Sequence, residues 1–254
     1  MIPAQRQTAI LQRLSNGEVA SIAELMEEFQ VSHMTIRRDI GKLEQEGVVI
    51  SVSGGVQSNS VLQKELSRTK KLQRHHNEKR AIGQYACSLI PQGATIYLDA
   101  GTTTLFIAEG LLHRDDLTII TNDFPIANIL IEHSTAEIYH SGGKIDKRNA
   151  SSIGDLAAKM LLQFNIDIAF ISTSSFDCRG ISTPSEEKIS VKVAVVEASK
   201  KRILVSDSSK FGKVATFHAI DLDEFDTVIS DNNIPEEMHE TCTQRNIELV
   251  ALDY

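Results

Sequence analysis

Two groups of side chains in this 254-residue sequence have the types and spacing for recognition chemistry. The first is the run from Ser32 to Leu43. With Ile36 at zero on a helical wheel and about 100° per residue, Ile40 and Leu43 fall within roughly 40° of it. Met34 and Arg38 then lie near about 160° and 200°, opposite that apolar face, with Thr35 and Arg37 on the flanks. The outward surface of the helix start is therefore His33, Met34, Thr35, Arg37 and Arg38. Arginine pairs bidentately with guanine, and hydroxyls and amides reach phosphate. Ser21 and Ser32, at the starts of two successive helices, are grouped with them as candidate DNA contacts. A solvated, salt-paired face, with Asp39 offsetting one arginine, is the plainer alternative. The second group is five small polar stretches, each following a β-rich run: Asp99-Ala100-Gly101-Thr102-Thr103-Thr104, Thr121-Asn122, Ser141-Gly142-Gly143-Lys144, Thr173-Ser174-Ser175 and Asp207-Ser208-Ser209-Lys210. Gly101 lets backbone approach a ligand, and the threonine hydroxyls and first-turn N–H groups can hold a phosphate at a helix start. Such turns are weak evidence singly. Five in one sheet, with two lysines and two carboxylates, point to a pocket for a polyol phosphate.

The elements that must position these residues are legible in outline. Pro3 to Ser15 reads as a helix with Ile10, Leu11 and Leu14 inward and Arg6 and Arg13 outward, ended by Asn16-Gly17. Ser21 and Glu24 form a capping box, and Ile22, Leu25, Met26 and Phe29 follow at helical spacing. Gln30-Val31 breaks that helix, Ser32 caps the next one, and Gly47 closes it as a C′ glycine. Two short amphipathic helices so joined fit a helix-turn-helix, and Val48-Val49-Ile50 and Val56 around Gly54-Gly55 read as a two-stranded wing. Beyond residue 78 helices near 79–90, 103–112, 124–132, 152–163, 187–199 and 235–245 alternate with apolar runs at 95–98, 117–121, 137–140, 167–172, 202–206 and 226–230. That alternation predicts a mostly parallel α/β sheet covered by helices, with ligands at the carboxyl ends of its strands. The expected organisation is a DNA-binding domain over 1–58, a basic linker over 59–78 and an α/β domain over 79–254.

Composition narrows the class. The chain is 41% hydrophobic, with no apolar run of membrane-spanning length and no signal peptide, and Cys87, Cys178 and Cys242 are scattered. These features predict a cytoplasmic protein without a disulfide framework. His75-His76 lacks the partner spacing of a metal site, and neither metal nor cofactor is expected. The net charge of −8 is uneven. Residues 1–58 hold 5 Lys+Arg against 7 Asp+Glu, residues 59–80 hold 7 against 2, and residues 81–254 hold 14 against 25. A DNA-binding head of net −2 must rely on a few placed cations and on oligomerisation.

The stretch VSHMTIRRDIGKLEQEG, followed by a strand and Gly-Gly, resembles the DNA-binding segment of DeoR-type bacterial transcriptional regulators. The resemblance implies a winged helix-turn-helix. The family usually carries Arg-x-His before the Gly-Gly, whereas this chain has Ser51-Val52-Ser53, so the wing lacks those cations. The C-terminal part resembles the sensor domain of the same family in LDAGTTT, TNDFPIAN, SGGK, SSIGDLA, DIAFIST, GISTP followed by Glu186-Glu187, and VSDSSKFGK. Together the two cover nearly the whole chain. The resemblance implies the fold of ribose-5-phosphate isomerase used to sense a phosphorylated sugar. By that analogy Asp99 and Asp207 accept hydroxyls, Gly101, Thr102, Thr103, Thr104 and Lys210 hold the phosphate, and Thr121, Asn122, Gly143 and Lys144 line the remaining wall. One departure is Ser172-Thr173-Ser174-Ser175 in place of a more glycine-rich turn.

The expectation is a non-enzymatic regulator, a repressor of a sugar-use operon, that binds double-stranded operator DNA as a dimer or tetramer. The alternative is a sugar-phosphate isomerase with an appended DNA-binding head. Isomerisation needs a placed base. Isomerases of this fold carry a cluster of acids after the strand equivalent to DIAFIS, where Asp177 is the nearby acid here.

Overall fold

Pro3 sits in the first turn of α1 (Pro3–Arg13), where a missing N–H breaks no helical bond. β1 (Val19–Ser21) follows, then α2 (Ile22–Phe29), α3 (His33–Gln45), β2 (Val49–Val52) and β3 (Gly55–Ser58). The computed structural model describes residues 2–14, 19–45, 48–52, 55–58, 61–62 and 67–254, and these fall into two units, Met1–Leu62 and Gln63–Tyr254. The capping box at the start of α2 is formed: Ser21 Oγ accepts from Glu24 N at 3.1 Å, and Glu24 Oε2 accepts from Ser21 N at 2.7 Å. Ile10, Leu14, Leu25, Ile36, Ile40, Leu43, Val49 and Val56 close one core.

Two expectations in this unit are corrected. Arg6 is not outward and Asp39 is not on a solvated face. Both are buried, and Arg6 Nε donates to Asp39 Oδ2 at 2.6 Å while Gln7 Nε2 donates to Oδ1 at 2.9 Å. Arg6 stands one turn before Ile10, on the same inward side of α1, and from there its side chain crosses to α3. The wing is also three-stranded, in the order β1-β3-β2. β1 was missed because it is three residues long. Gly55 is required there by close approach, since a Cβ would meet the Ala20 carbonyl oxygen at 2.4 Å. Asn16-Gly17, Gly47 and Ser53-Gly54 lie outside the described residues.

The second unit begins with α4 (Arg68–Leu72), inside the stretch expected to be linker, and α5 (His76–Ser88), which starts in that stretch and runs through most of the helix expected near 79–90. Then come β4 (Thr95–Leu98), α6 (Thr102–Gly110), β5 (Thr118–Thr121), α7 (Phe124–His133) and β6 (Glu137–His140). A hairpin of β7 (Lys144–Asp146) and β8 (Ser151–Ile153) leads to α8 (Asp155–Leu161) and β9 (Ile166–Ser172). β10 (Ser175–Asp177), β11 (Gly180–Thr183), α9 (Glu187–Ala198), β12 (Ser199–Val205), β13 (Phe217–Asp221), β14 (Thr227–Asp231), α10 (Glu236–Gln244) and β15 (Glu248–Leu252) complete it.

The main sheet is parallel throughout, in the order β15-β14-β12-β9-β4-β5-β6. Alternate residues serve opposite faces. Ile96, Leu98, Ile168 and Phe170 pack with α5, α6 and α7, whereas Tyr97, Ala169 and Ile171 pack with α8, α9 and α10. Burial on both faces is why these strands read as continuous apolar runs. A small antiparallel sheet, β10-β11-β13, was not expected from sequence. Among the described residues no helix is long and apolar enough to cross a membrane.

Candidate functional site

In the first unit α3 presents the residues its phasing predicts. His33, Met34, Arg37 and Arg38 are exposed, Thr35 is half-buried, and Ile36, Asp39, Ile40 and Leu43 face inward. Met34 is 68% exposed. Ser32 Oγ lies 2.9 Å from Thr35 Oγ1 and accepts from Thr35 N at 3.3 Å, so it caps the helix. Ser21 is likewise occupied as a cap. In the wing Ser51 N donates to Glu44 Oε1 at 2.9 Å, and the described wing strands carry no cation.

In the second unit the chain builds β4, β5 and β6 outward in one direction, then returns to place β9 against the other side of β4. The strand order therefore reverses between β4 and β9, and the crevice beyond their carboxyl ends is where parallel sheets bind ligands. Asp99 leaves β4 and Ser172 ends β9. Asp99 Oδ2 accepts from Ser172 N at 3.0 Å, from Ser172 Oγ at 3.2 Å and from Lys192 Nζ at 2.7 Å. Lys192 Nζ also donates to the Ser172 carbonyl at 2.7 Å. Gly101 is needed because a Cβ there would lie 2.5 Å from Ser172 Oγ. A cavity of about 60 Å³ opens here, lined among others by Arg68, Lys71, Asp99, Thr103, Asn122 and Lys210.

Several donors in this wall lack partners. Thr103 Oγ1, Ser151 Oγ and Arg68 Nη2 are buried and make no hydrogen bond. Buried polar groups are normally satisfied, and these three leave unused donors on one wall. Thr103 stands in the first turn of α6, where N–H groups and the helix dipole add to the attraction for an anion.

The structure brings Asp99, Gly101, Thr102, Thr103, Asn122 and Lys210 to the cavity. Five other expected residues do not line this cavity. Thr104 Oγ1 donates to the Asp99 carbonyl at 2.6 Å and holds the turn. Thr121 Oγ1 donates to the Leu98 carbonyl at 2.7 Å and accepts from Asp123 N at 3.0 Å. Gly143 and Lys144 lead into the β7–β8 hairpin, and Lys144 Nζ reaches Glu187 Oε1 at 2.6 Å with its side chain 66% exposed. Asp207 sits behind the wall, with Lys210 Nζ 3.2 Å from its Oδ2 and the Ser209 hydroxyl on its Oδ1.

The sequence reading missed Arg68, Lys71, Lys188 and Lys192, all of which line the cavity. Lys192 carried a signal: it is a lysine among the buried residues of an apolar helix, beside Val191 and Val195. Arg68 and Lys71 carried none beyond charge, because a basic, weakly amphipathic stretch reads as linker.

Electrostatics agree with an anion site. Burial alone would raise the Asp207 carboxyl, but Lys210, the Ser209 hydroxyl, His75 and Lys79 outweigh it and hold it well below the usual range. Lys79 is pushed down to about 8 by burial and by Lys210, and its ammonium is held by the Lys71 and Arg74 carbonyls. Lys213 is lowered by burial, with Asp207 opposing. Asp123, which caps α7 and accepts from Arg68 Nη1 at 2.6 Å, is raised by burial to about 6 against the pull of Arg68.

A pH prediction follows from Asp123. Its unfolded carboxyl ionises near about 3.9, while the folded one waits until about 6. The unfolded state sheds its proton first, so this group lowers stability as pH rises from about 4 to 6. The melting temperature of the parent minus that of Asp123→Asn should fall across that window. A constant difference would remove the assignment.

Comparison with known proteins covers both units. Residues 6–61 match the DeoR-like helix-turn-helix domain, and residues 74–232 match the DeoR C terminal sensor domain. An HTH-type transcriptional regulator of Escherichia coli K12, YgbI, is 48% identical over 251 residues, covering 99% of this chain and 98% of its own. A Haemophilus influenzae HTH-type regulator is 51% identical, covering 98% and 97%. The lactose phosphotransferase system repressor of Staphylococcus epidermidis is 37% identical, covering 83% and 84%. Among solved structures, ribose 5-phosphate isomerase A of Methanocaldococcus jannaschii overlays with a TM-score of 0.39 at 14% identity, covering 54% of each chain.

Proposed function

The chain belongs to the DeoR family of transcription regulators, and from that premise we propose that it represses a sugar-use operon under the control of a phosphorylated sugar held in the β4–β9 crevice. It binds DNA through its helix-turn-helix and carries the family's sensor domain. The observation that carries the ligand reading is the set of unpartnered donors, Thr103 Oγ1, Ser151 Oγ and Arg68 Nη2, on a wall that also bears Lys71, Lys192 and Lys210. Named relatives point the same way, including the lactose system repressor and a putative aga operon repressor that is 30% identical over 252 residues. Titrating the operator complex with a panel of sugar phosphates tests the reading. Release or tightening by one of them is expected, and no response to any would sink it.

An isomerase would need a base free to take a proton. Asp99 is held by Lys192 and Ser172, and Asp177 Oδ2 accepts from Arg179 at 2.7 Å. That arrangement favours retention of a ligand over turnover.

On the DNA side, Arg38 is the proposed base reader and Arg37 the phosphate contact, with His33, Met34 and Thr35 beside them. Arg38→Ala should weaken specific operator binding by about 1–3 kcal/mol, and unchanged affinity and selectivity in a gel-shift series would reject it. Because the head is net negative and its wing strands lack cations, two heads must act together through effective concentration. The expected state is a dimer or tetramer. Sedimentation of a monomer at concentrations that fully protect the operator would contradict this.

A further inference from the structure

The cavity holds about 60 Å³, whereas small-ligand pockets begin near roughly 300 Å³. A wall must give way when a sugar-sized molecule enters. Most of the wall is fixed by the sheet: Asp99 and Ser172 continue paired strands, and Thr103 stands on α6, whose Ile107 and Ala108 are buried. α4 is different. It is five residues long and none of them is buried. What holds it is polar: Arg68 Nη1 to Asp123 Oδ2 at 2.6 Å, Lys71 Nζ to Asn149 Oδ1 at 3.2 Å, and the Lys79 ammonium on the Lys71 carbonyl. The Arg68–Asp123 pair is covered, with Asp123 fully buried, so it serves as the helix's pivot, while no apolar side chain of the helix itself is buried. One donor of this helix, Arg68 Nη2, is buried without a partner on the cavity wall, as is Thr103 Oγ1.

From this arrangement we infer that α4 is the movable wall of the pocket, and that a bound anion, bridging Arg68 and Lys71 to the first turn of α6, locks it in place. The inference rests on the crevice being an anion site. A phosphate oxygen is the acceptor that Arg68 Nη2 lacks, and Arg68 can meet it while Nη1 stays on Asp123, because guanidinium donors fork in one plane. Lys71 adds a second cation from the next turn of the same short helix. The consequence for regulation lies in chain order. α4 is the first described element after Leu62, where the DNA-binding unit ends. Ordering α4 therefore fixes the start of the sensor unit at the place where the chain arrives from the DNA reader. Occupancy would reach that reader through the loss of conformational freedom in one five-residue helix, with no rearrangement of the sheet.

Hydrogen exchange on the full chain, with and without inorganic phosphate, tests this. Backbone N–H groups of Lys71, Gln73 and Arg74 are bonded within α4 and its cap, to the Ser67, Thr69 and Lys71 carbonyls. Phosphate should slow exchange several-fold both in the segment 69–74 and in the segment 102–106. Slowing at 102–106 with no change at 69–74 overturns the inference and leaves the anion site standing. No slowing at either segment removes the anion site and the inference together. As a second measurement, Arg68→Gln should weaken phosphate binding at least tenfold by calorimetry, while Lys70→Gln, an exposed change on the same helix, should bind as the parent does. Equal binding by Arg68→Gln and the parent overturns the role of Arg68. Should Arg68→Gln fail to fold, the exchange pattern of the parent decides alone.

Discussion

Asp39→Ala should unfold the DNA-binding unit while leaving the sensor unit's thermal transition in place. Asp39 is 3% exposed and Arg6 is 5% exposed, and they meet at 2.6 Å. Removing the carboxylate takes from the buried Arg6 guanidinium the acceptor it meets at 2.6 Å. Breaking a buried pair in this way costs about 3–5 kcal/mol. A unit of this size rarely has more than about 3–5 kcal/mol to lose, so the change consumes most of its stability. Gln7 loses an acceptor as well. The readout is a two-step melt followed by circular dichroism, with operator binding measured in parallel. The early step should drop by tens of degrees or vanish, and binding to all sequences should go with it. That pattern separates Asp39 from Arg38, whose loss should spare folding. A variant that melts like the parent and still binds operator would show that the α1–α3 pair is dispensable. Asp39→Asn should be milder, because it keeps an acceptor for Gln7.

The second large effect is expected at the sensor. Lys210→Ala should retain operator binding but require at least tenfold more effector to change it, matching the usual coupling of about 1–3 kcal/mol between linked sites. Lys210 lines the cavity and lies 3.2 Å from Asp207. Its removal takes away a cation for the ligand and also a partner for a buried carboxylate, so part of any loss could be structural. Thr103 provides the independent variants. Thr103→Val removes only the unpartnered hydroxyl and should weaken the response modestly with little change in melting temperature. Thr103→Glu places a negative charge in the first turn of α6 and should abolish the response. An effector that acts on all four proteins at one concentration would put its site elsewhere. By linkage, operator DNA must weaken or strengthen effector binding by the same factor, which offers a check free of any variant.

How much of this was readable from the sequence depends on the range of the interaction. The exposed face of α3 was legible because Ile36, Ile40 and Leu43 repeat at helical spacing and the opposite side must then be outward. The parallel sheet was legible because its inner strands are buried on both faces and read as apolar runs at 95–98, 117–121 and 167–172. The switch point was not, since nothing local says that β9 returns to the far side of β4. For the same reason Thr121, the last residue of β5, and Asp207, just beyond β12, were placed on the wall, although the Thr121 hydroxyl bonds the Leu98 carbonyl and Asp207 pairs with Lys210. The Arg6–Asp39 pair spans 33 residues and the Lys192–Asp99 pair spans 93. Neither partner is visible from one element alone, because each pair joins residues far apart in the sequence. Arg68 and Lys71 were hidden by composition, because a short helix with no apolar face has no periodicity to detect.

The sheet order also sets a timetable for synthesis. The helical core of the DNA-binding unit and its three-stranded wing close within the first 58 residues. The centre of the sensor sheet joins Ile96 to Ile168 and Leu98 to Phe170, so it cannot form until β9 has left the ribosome. At about 5–20 residues per second, roughly 5–20 s separate the two events. During that interval a nascent chain holds a finished DNA reader, while the apolar strands β4, β5 and β6 wait without their central neighbour. A newly made copy thus has a folded DNA-binding unit before its sensor sheet is complete, and until then its apolar strands lack the neighbour that covers them.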